Sequence, residues 1–166
     1  HGHRGPDRRH PRSAAHHARV KHGLEDKGVL VGSSAGATLA LLASENEFDL
    51  IETVVSCFGL YDFAALEAPL LKVFRGLVLG SGSQAAALEA SPAHRGKRVP
   101  QTLLLHGTAD LLVPYEQAGQ MESALRGAGV ASQRFDYAGA PHAFFNDRKS
   151  AVCQQALADI DRALNL

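Results

Sequence analysis

The chain has 166 residues, of which 45% are hydrophobic and 20% are charged, and its formal net charge is zero. This length suits one domain with a substantial core, and no apolar run reaches the roughly 20 residues that a membrane span requires. The two cysteines, Cys57 and Cys153, are far apart and match no metal-binding spacing, so the sequence argues against a disulfide framework and predicts two buried thiols.

The first 22 residues differ from the rest of the chain in charge. They carry six Arg or Lys against one Asp, hold six of the nine histidines, and contain almost no apolar side chains. This composition predicts a basic, disordered head over residues 1–27, ahead of a globular domain over residues 28–166. Nucleic-acid binding and metal binding by the head are alternatives, but no aromatic residues are interleaved for base stacking, so no nucleic-acid partner is expected. No apolar signal segment opens the chain, which makes a cytoplasmic location the expectation.

Regular hydrophobic patterns begin at residue 28. Residues 28–32 predict a short buried strand, residues 35–44 a helix rich in Ala and Leu, and residues 51–58 a second strand rich in β-branched side chains. Two strands joined through a helix indicate a βαβ unit. The following stretch predicts helices around residues 63–79 and 84–90 and then a polar loop over residues 93–99.

The second half of the chain repeats the alternation. Residues 101–106 predict a third buried strand, residues 114–127 a helix, residues 131–137 a more polar edge strand, and residues 151–164 a closing amphipathic helix. The whole order predicts an α/β fold in which a mostly parallel sheet is flanked by helices.

Chemically active side chains follow three of the predicted strands. The segment GSSAG after the first strand fits the G-x-S-x-G pattern with Ser34 at its centre, Asp110 follows the third strand, and His142 follows the fourth. The carboxyl ends of parallel strands meet at one edge of a sheet, where sites form. A serine hydroxyl becomes a nucleophile when a base, oriented by a third group, accepts its proton. The order Ser, Asp, His therefore predicts a catalytic triad.

The pattern around Ser34 is typical of a nucleophile elbow, a tight turn between strand and helix. Gly32 and Gly36 would leave room for the close backbone packing of such a turn, and the helix beginning at Ala35 would point its N–H groups at a developing oxyanion. Taken singly, Ser34 could cap a helix, Asp110 a loop, and His142 could lie on the surface. Their joint occurrence in this order favours the triad.

Three segments, VGSSAGATLALL, LLLHGTADLLVPYEQAGQMESALRGAGV and AGAPHAFF, resemble the α/β-hydrolase fold family, particularly its esterase and prolyl-oligopeptidase-like branch. Two shorter ones, CFGLYDF and ASPAHR, support the resemblance, which covers residues 28–166. It implies that Ser34 is the nucleophile, Asp110 the orienting acid and His142 the general acid and base, with the Ala35 N–H as one oxyanion donor. His106 is expected to support its turn.

The same resemblance implies hydrolysis of a small-molecule carboxylic ester through an acyl-enzyme, without a metal or organic cofactor. A prolyl-oligopeptidase-like peptidase and a noncatalytic binding domain are the alternatives. Family members carry further strands and an oxyanion loop ahead of the elbow, which this sequence does not show. We therefore expect a partial sheet that lacks a second oxyanion donor, and a first strand whose open apolar edge suits self-association or a partner chain.

Overall fold

A computed structural model describes residues 27–66, 69–95 and 98–166. Its centre is a sheet of four parallel strands, each paired with the next one along the chain. The strands are β1 (Gly28–Ser33), β2 (Ile51–Cys57), β3 (Gln101–Gly107) and β4 (Ser132–Tyr137). The predicted α/β class is confirmed, and the strand positions agree with the sequence patterns to within one residue at each end.

Helices connect these strands and cover the sheet. They are α1 (Ala35–Asn46), α2 (Pro69–Leu79), α3 (Gln84–Ala90), α4 (Pro92–Arg95), α5 (Glu116–Gly127) and α6 (Ala151–Leu164). A short 3₁₀ helix, Phe144–Asn146, precedes α6. None of the helices in the described part of the chain is long and apolar enough to cross a membrane.

The core lies on both faces of the sheet. On one face, Leu41 of α1 and Leu125 of α5 pack with Val54 and Leu104 of the central strands. On the other face, Ala156 of α6 belongs to a second buried cluster with Val55, Leu103 and Leu105. Strands β2 and β3 are therefore buried on both sides, which explains their nearly continuous apolar sequences.

The structure differs from the sequence prediction between β2 and β3. Helix α2 begins at Pro69 instead of near residue 63. At residue 63 the chain forms a turn, in which the carboxylate of Asp62 accepts hydrogen bonds from the N–H groups of Ala64 (2.9 Å) and Ala65 (3.0 Å). That arrangement stabilises a turn. The predicted polar loop at residues 93–99 begins inside the short helix α4, with Pro92 in its first turn, where proline is well tolerated.

Strand β1 forms one edge of the sheet. Within the described residues it pairs only with β2, and Val29 and Val31 are 45% and 64% exposed. Association through this edge stays a prediction. The prediction of a disordered head concerns residues 1–27, and residues 1–26 lie outside the described part of the chain.

Candidate active site

The structure brings the three predicted side chains together at the carboxyl ends of the strands. Ser34 Oγ lies 3.0 Å from His142 Nε2, and His142 Nδ1 lies 2.7 Å from Asp110 Oδ2. Both distances are those of hydrogen bonds. Because the Asp110 carboxylate can only accept, the proton between them sits on His142 Nδ1, which leaves Nε2 free to accept the proton of Ser34.

Ser34 occupies a strained turn between β1 and α1. Its backbone angles are φ 53° and ψ −123°, a combination that costs a residue with a side chain on the order of 1–3 kcal/mol. Its N–H donates to the carbonyl of Cys57 at the end of β2, at 2.9 Å. The side chain of Ser34 makes no helix-capping hydrogen bond, so the N-cap alternative is not supported.

The two glycines of the elbow differ in how closely they are packed. A Cβ atom on Gly32 would lie 2.2 Å from the carbonyl oxygen of Gly36, far inside van der Waals contact. A Cβ atom on Gly36 would meet none of the described residues within 4 Å. Gly32 therefore permits the close approach of strand and helix, whereas nothing in the described structure requires a glycine at position 36.

Asp110 and His142 are joined by the packing of two neighbouring loops. The N–H groups of Thr108 and Ala109 donate to the carbonyls of Tyr137 (2.9 Å) and Ala140 (3.1 Å) in the loop that follows β4. A Cβ atom on Gly107 would lie 2.2 Å from the Ala140 carbonyl oxygen, so a glycine is needed at the end of β3. This contact sets the spacing between the acid and the base.

Asp110 also caps its own loop. Its Oδ1 accepts the N–H groups of Leu112 (2.9 Å) and Val113 (2.8 Å), while Oδ2 faces His142. One oxygen of the carboxylate therefore caps the loop, which the sequence had left open, while the other contacts His142.

Phe58 contacts the base and was not singled out by the sequence patterns. Its ring packs edge-on against the His142 ring, with centroids 5.0 Å apart, and its backbone has φ 41°. Neither feature has a signal in the sequence, because positive φ is uncommon for an aromatic residue and no spacing rule links residues 58 and 142. The edge-on contact restricts the orientation of the imidazole.

The imidazole of His106, on β3, is fully buried beside Asp110. Its Nε2 lies 3.2 Å from the carbonyl oxygen of Val113 and 3.3 Å from Asp110 Oδ2. Burial lowers the pKa of His106 below its usual 6.5, although the neighbouring Asp110 carboxylate acts in the opposite direction. The ring is therefore neutral near pH 7.

A cavity of about 600 Å³ opens beside Ser34. Its walls come from α1, from the chain after β2, from the ends of α2 and α3, and from the loop after Asp110, and they are almost entirely aliphatic or aromatic. Among the described residues of the wall, Thr38 is the one polar residue besides Ser34, and its hydroxyl already donates to the Leu60 carbonyl at 2.6 Å. No charged residue of the described chain lines the cavity.

The two supporting segments, CFGLYDF and ASPAHR, meet behind this cavity. Asp62 Oδ2 lies 2.9 Å from Nε2 of His94, and the N–H of Phe63 donates to the hydroxyl of Ser91 at 2.8 Å. The Gln117 side chain accepts from the N–H groups of Tyr61 and Asp62 and donates to the Asp62 carbonyl. These contacts fix the chain after β2, which forms one wall of the cavity.

Comparison with known proteins agrees with this arrangement. A model of the prolyl oligopeptidase family matches residues 13–165. The chain belongs to the prolyl oligopeptidase family. The match begins inside the basic head and includes Ser34, Asp110 and His142.

A curated relative of this member of the prolyl oligopeptidase family is a kynurenine formamidase. The kynurenine formamidase avaC of Aspergillus versicolor is 30% identical in an alignment 155 positions long, which covers 72% of this chain and 55% of that protein. The chain therefore spans about half the length of the curated relative that it matches.

Solved structures share the fold of this family member. The thermophilic esterase Est2 of Thermogutta terrifontis superposes with a TM-score of 0.64 and 22% identity over 82% of this chain and 53% of its own. The acylaminoacyl peptidase of Pyrococcus horikoshii superposes with a TM-score of 0.69 and 15% identity over 81% of this chain and 23% of its own. Family and fold together establish membership of a serine hydrolase family, which the sequence resemblance had indicated.

Proposed function

We propose that this chain is a serine hydrolase that cleaves carboxylic esters through an acyl-enzyme. The observation that carries the proposal is the continuous chain of hydrogen-bonding distances from Ser34 Oγ through the His142 ring to the Asp110 carboxylate, at 3.0 Å and 2.7 Å. This geometry matches the requirement for an activated serine, in which the base contacts the nucleophile and a third group orients the base.

Each step of the reaction has a residue to perform it. His142 Nε2 accepts the proton of Ser34 as Oγ bonds to the ester carbonyl carbon, and the oxygen of that carbonyl becomes an oxyanion. His142 then donates the proton to the departing alcohol oxygen, which leaves an acyl group on Ser34. A water molecule then gives a proton to the same nitrogen and attacks the acyl carbon. His142 passes that proton to Oγ as the bond between the acyl carbon and Oγ breaks, so the acid leaves and Ser34 is restored.

The oxyanion needs hydrogen-bond donors aimed at it. Ala35 is the first residue of α1, so its N–H has no acceptor within the helix, and the positive end of the helix dipole lies at this point. The Ala35 N–H is the donor that we assign to the oxyanion.

The cavity beside Ser34 indicates the character of the bound group. Since charged side chains are absent from its described lining and the Thr38 hydroxyl is already engaged, a charged substituent would lose its hydration without gaining a partner. The cavity therefore suits an uncharged, apolar acyl or alcohol group. Its volume is within the usual range for small-molecule sites.

The proposal is tested by treating the purified chain with a fluorophosphonate and locating the adduct by mass spectrometry. We expect the label on Ser34, and we expect Ser34→Ala and His142→Ala to abolish it. Ser33→Ala is the matched control, because Ser33 is the exposed neighbouring serine at the end of β1 and should not affect the labelling.

Turnover of matched substrates then decides the bond that is cleaved. The purified chain is offered a p-nitrophenyl alkanoate, the corresponding p-nitroanilide and an aromatic formamide of similar size. Faster hydrolysis of the ester supports the proposal, whereas faster hydrolysis of the anilide or formamide would replace it with a peptidase or amidase. A folded chain that is neither labelled nor active would instead support the noncatalytic alternative.

A further inference from the structure

The Asp110 carboxylate is completely buried and is held by three hydrogen bonds. Oδ1 accepts two backbone N–H groups, and Oδ2 accepts the N–H of His142 at 2.7 Å. His106 Nε2 lies 3.3 Å from Oδ2, while its own hydrogen bond goes to the Val113 carbonyl.

The contacts of His106 determine which of its nitrogens carries the proton. Nε2 lies 3.2 Å from the carbonyl oxygen of Val113 and close to the Asp110 carboxylate, and both of these groups can only accept. Nε2 is therefore protonated. Nδ1 is buried and has no hydrogen-bond partner among the described residues, which fits a neutral ring that lacks a proton at that position.

His106 lies near both ends of the turn that follows β3. Asp110 begins this turn and Val113 ends it. Nε2 of His106 lies near the carbonyl of Val113 and the carboxylate of Asp110. The Tyr115 ring packs nearly at right angles to the His106 ring, with centroids 6.0 Å apart, and His142 and Asp136 are the other titratable groups that act on it. Of these groups, only the Asp110 carboxylate orients the base.

We propose that His106 is a positioning residue, whose Nε2–H binds the Val113 carbonyl and so holds the turn from 110 to 113 with Asp110 Oδ2 facing His142. The inference rests on the proposed function, because it assigns a residue that serves the same triad. Without the donor on His106, the Val113 carbonyl loses its hydrogen bond, and the turn that presents Asp110 can shift. Such a shift would move Oδ2 away from the base, and a displacement of about 1 Å at such a site can cost up to about 100-fold in rate.

Two substitutions separate positioning from simple core filling. The side-chain amide nitrogen of glutamine in His106→Gln can occupy the place of Nε2, whereas that of asparagine in His106→Asn falls near the place of Nδ1. Both variants keep a polar, uncharged side chain at position 106. We expect His106→Gln to keep kcat within about threefold and His106→Asn to lose up to about 100-fold in kcat with little change in KM. Equal losses in the two variants, or a loss confined to KM, would overturn the inference.

Nuclear magnetic resonance of the histidine side chains tests the inference without relying on turnover. In the wild-type chain, ¹⁵N shifts should show His106 as the neutral tautomer protonated at Nε2, and a downfield proton on His142 Nδ1 should disappear in His142→Ala. That downfield signal should persist in His106→Gln and shift or vanish in His106→Asn. A His106 ring protonated at Nδ1, or a His142 signal unchanged in a folded His106→Asn, would refute the positioning role even if no ester were hydrolysed. A wild-type chain that shows the expected tautomer and signal but hydrolyses nothing would refute the proposed function alone.

Discussion

Replacing Gly32 with alanine should distort the turn at Ser34 more than the same replacement at Gly36. The new Cβ atom would lie 2.2 Å from the Gly36 carbonyl oxygen and 2.6 Å from its carbonyl carbon. Real Cβ contacts are essentially never shorter than 3.0 Å, so the helix must retreat from the strand by about 0.8 Å. Backbone atoms cannot rotate away as a side chain would, and forced overpacking of this kind typically costs about 1–3 kcal/mol of folding free energy.

The retreat would also displace Ser34, which lies between the two glycines. A shift near 1 Å between a nucleophile and its base can reduce the rate by about 100-fold. We therefore expect Gly32→Ala to lower the second-order rate constant of fluorophosphonate labelling at Ser34 by a factor of that order, and to lower the urea midpoint of unfolding.

Gly36→Ala is the matched control for this experiment. It adds the same methyl group to the other glycine of the motif, where no described residue lies within 4 Å. Because Gly36 lies in helix α1, the change should stabilise the protein, by up to about 1 kcal/mol, and leave labelling nearly unchanged. A Gly32→Ala variant with wild-type labelling and stability would show that the strand and helix are not in the close contact described above.

Three further predictions concern residues away from the elbow. Burial raises the pKa of Cys57 to about 12, so iodoacetamide at mildly alkaline pH should modify this thiol only after the chain unfolds. Mass spectrometry locates the modified residue, and modification of Cys57 in the native chain would contradict its burial. Because the pKa of His106 is lower in the folded than in the unfolded chain, the unfolded state binds the extra proton, and the free energy of unfolding should fall as the pH drops below about 6.5. Urea unfolding between about pH 5 and pH 8 should show a weaker fall in His106→Gln, and an identical dependence in both proteins would refute this assignment. We expect the wild-type chain to associate through the β1 edge, so that its mass in sedimentation velocity rises with concentration, and we expect Val31→Lys to reduce this rise. A wild-type chain whose mass stays that of a monomer at all concentrations would contradict this prediction.

Local patterns in the sequence were sufficient to predict most of the sheet. The β-branched run of β2 and the aliphatic run of β3 are buried on both faces, and such strands have recognisable sequences. The start of α2 was misplaced because the apolar pattern near residue 63 resembles a helix, whereas Phe63, Ala64 and Leu66 belong to a buried cluster with Ala87 and Val113. Packing of a short segment against residues distant in the sequence is not visible in hydrophobic periodicity.

The candidate site shows the same division between local and long-range information. Ser34 was predictable because a G-x-S-x-G turn has a local signature. Phe58 was not, since its role depends on meeting a histidine 84 positions later in the chain. For His106 the sequence predicted support of the turn, but only the structure shows that its Nε2 lies near both the Val113 carbonyl and the Asp110 carboxylate.

The linear order of the strands also determines the order in which the site is completed. Ser34 and its hydrogen-bonded partner His142 are 108 positions apart in the sequence. They follow β1 and β4, which are the two edge strands of a sheet whose strands lie in chain order. A ribosome therefore makes the nucleophile first, the acid next and the base last. Until β4 and the loop after it pack against β3, the serine hydroxyl has no base to accept its proton, so the nascent chain carries an unreactive serine. On the proposed mechanism, the chain cannot acylate itself or its neighbours before His142 has been made.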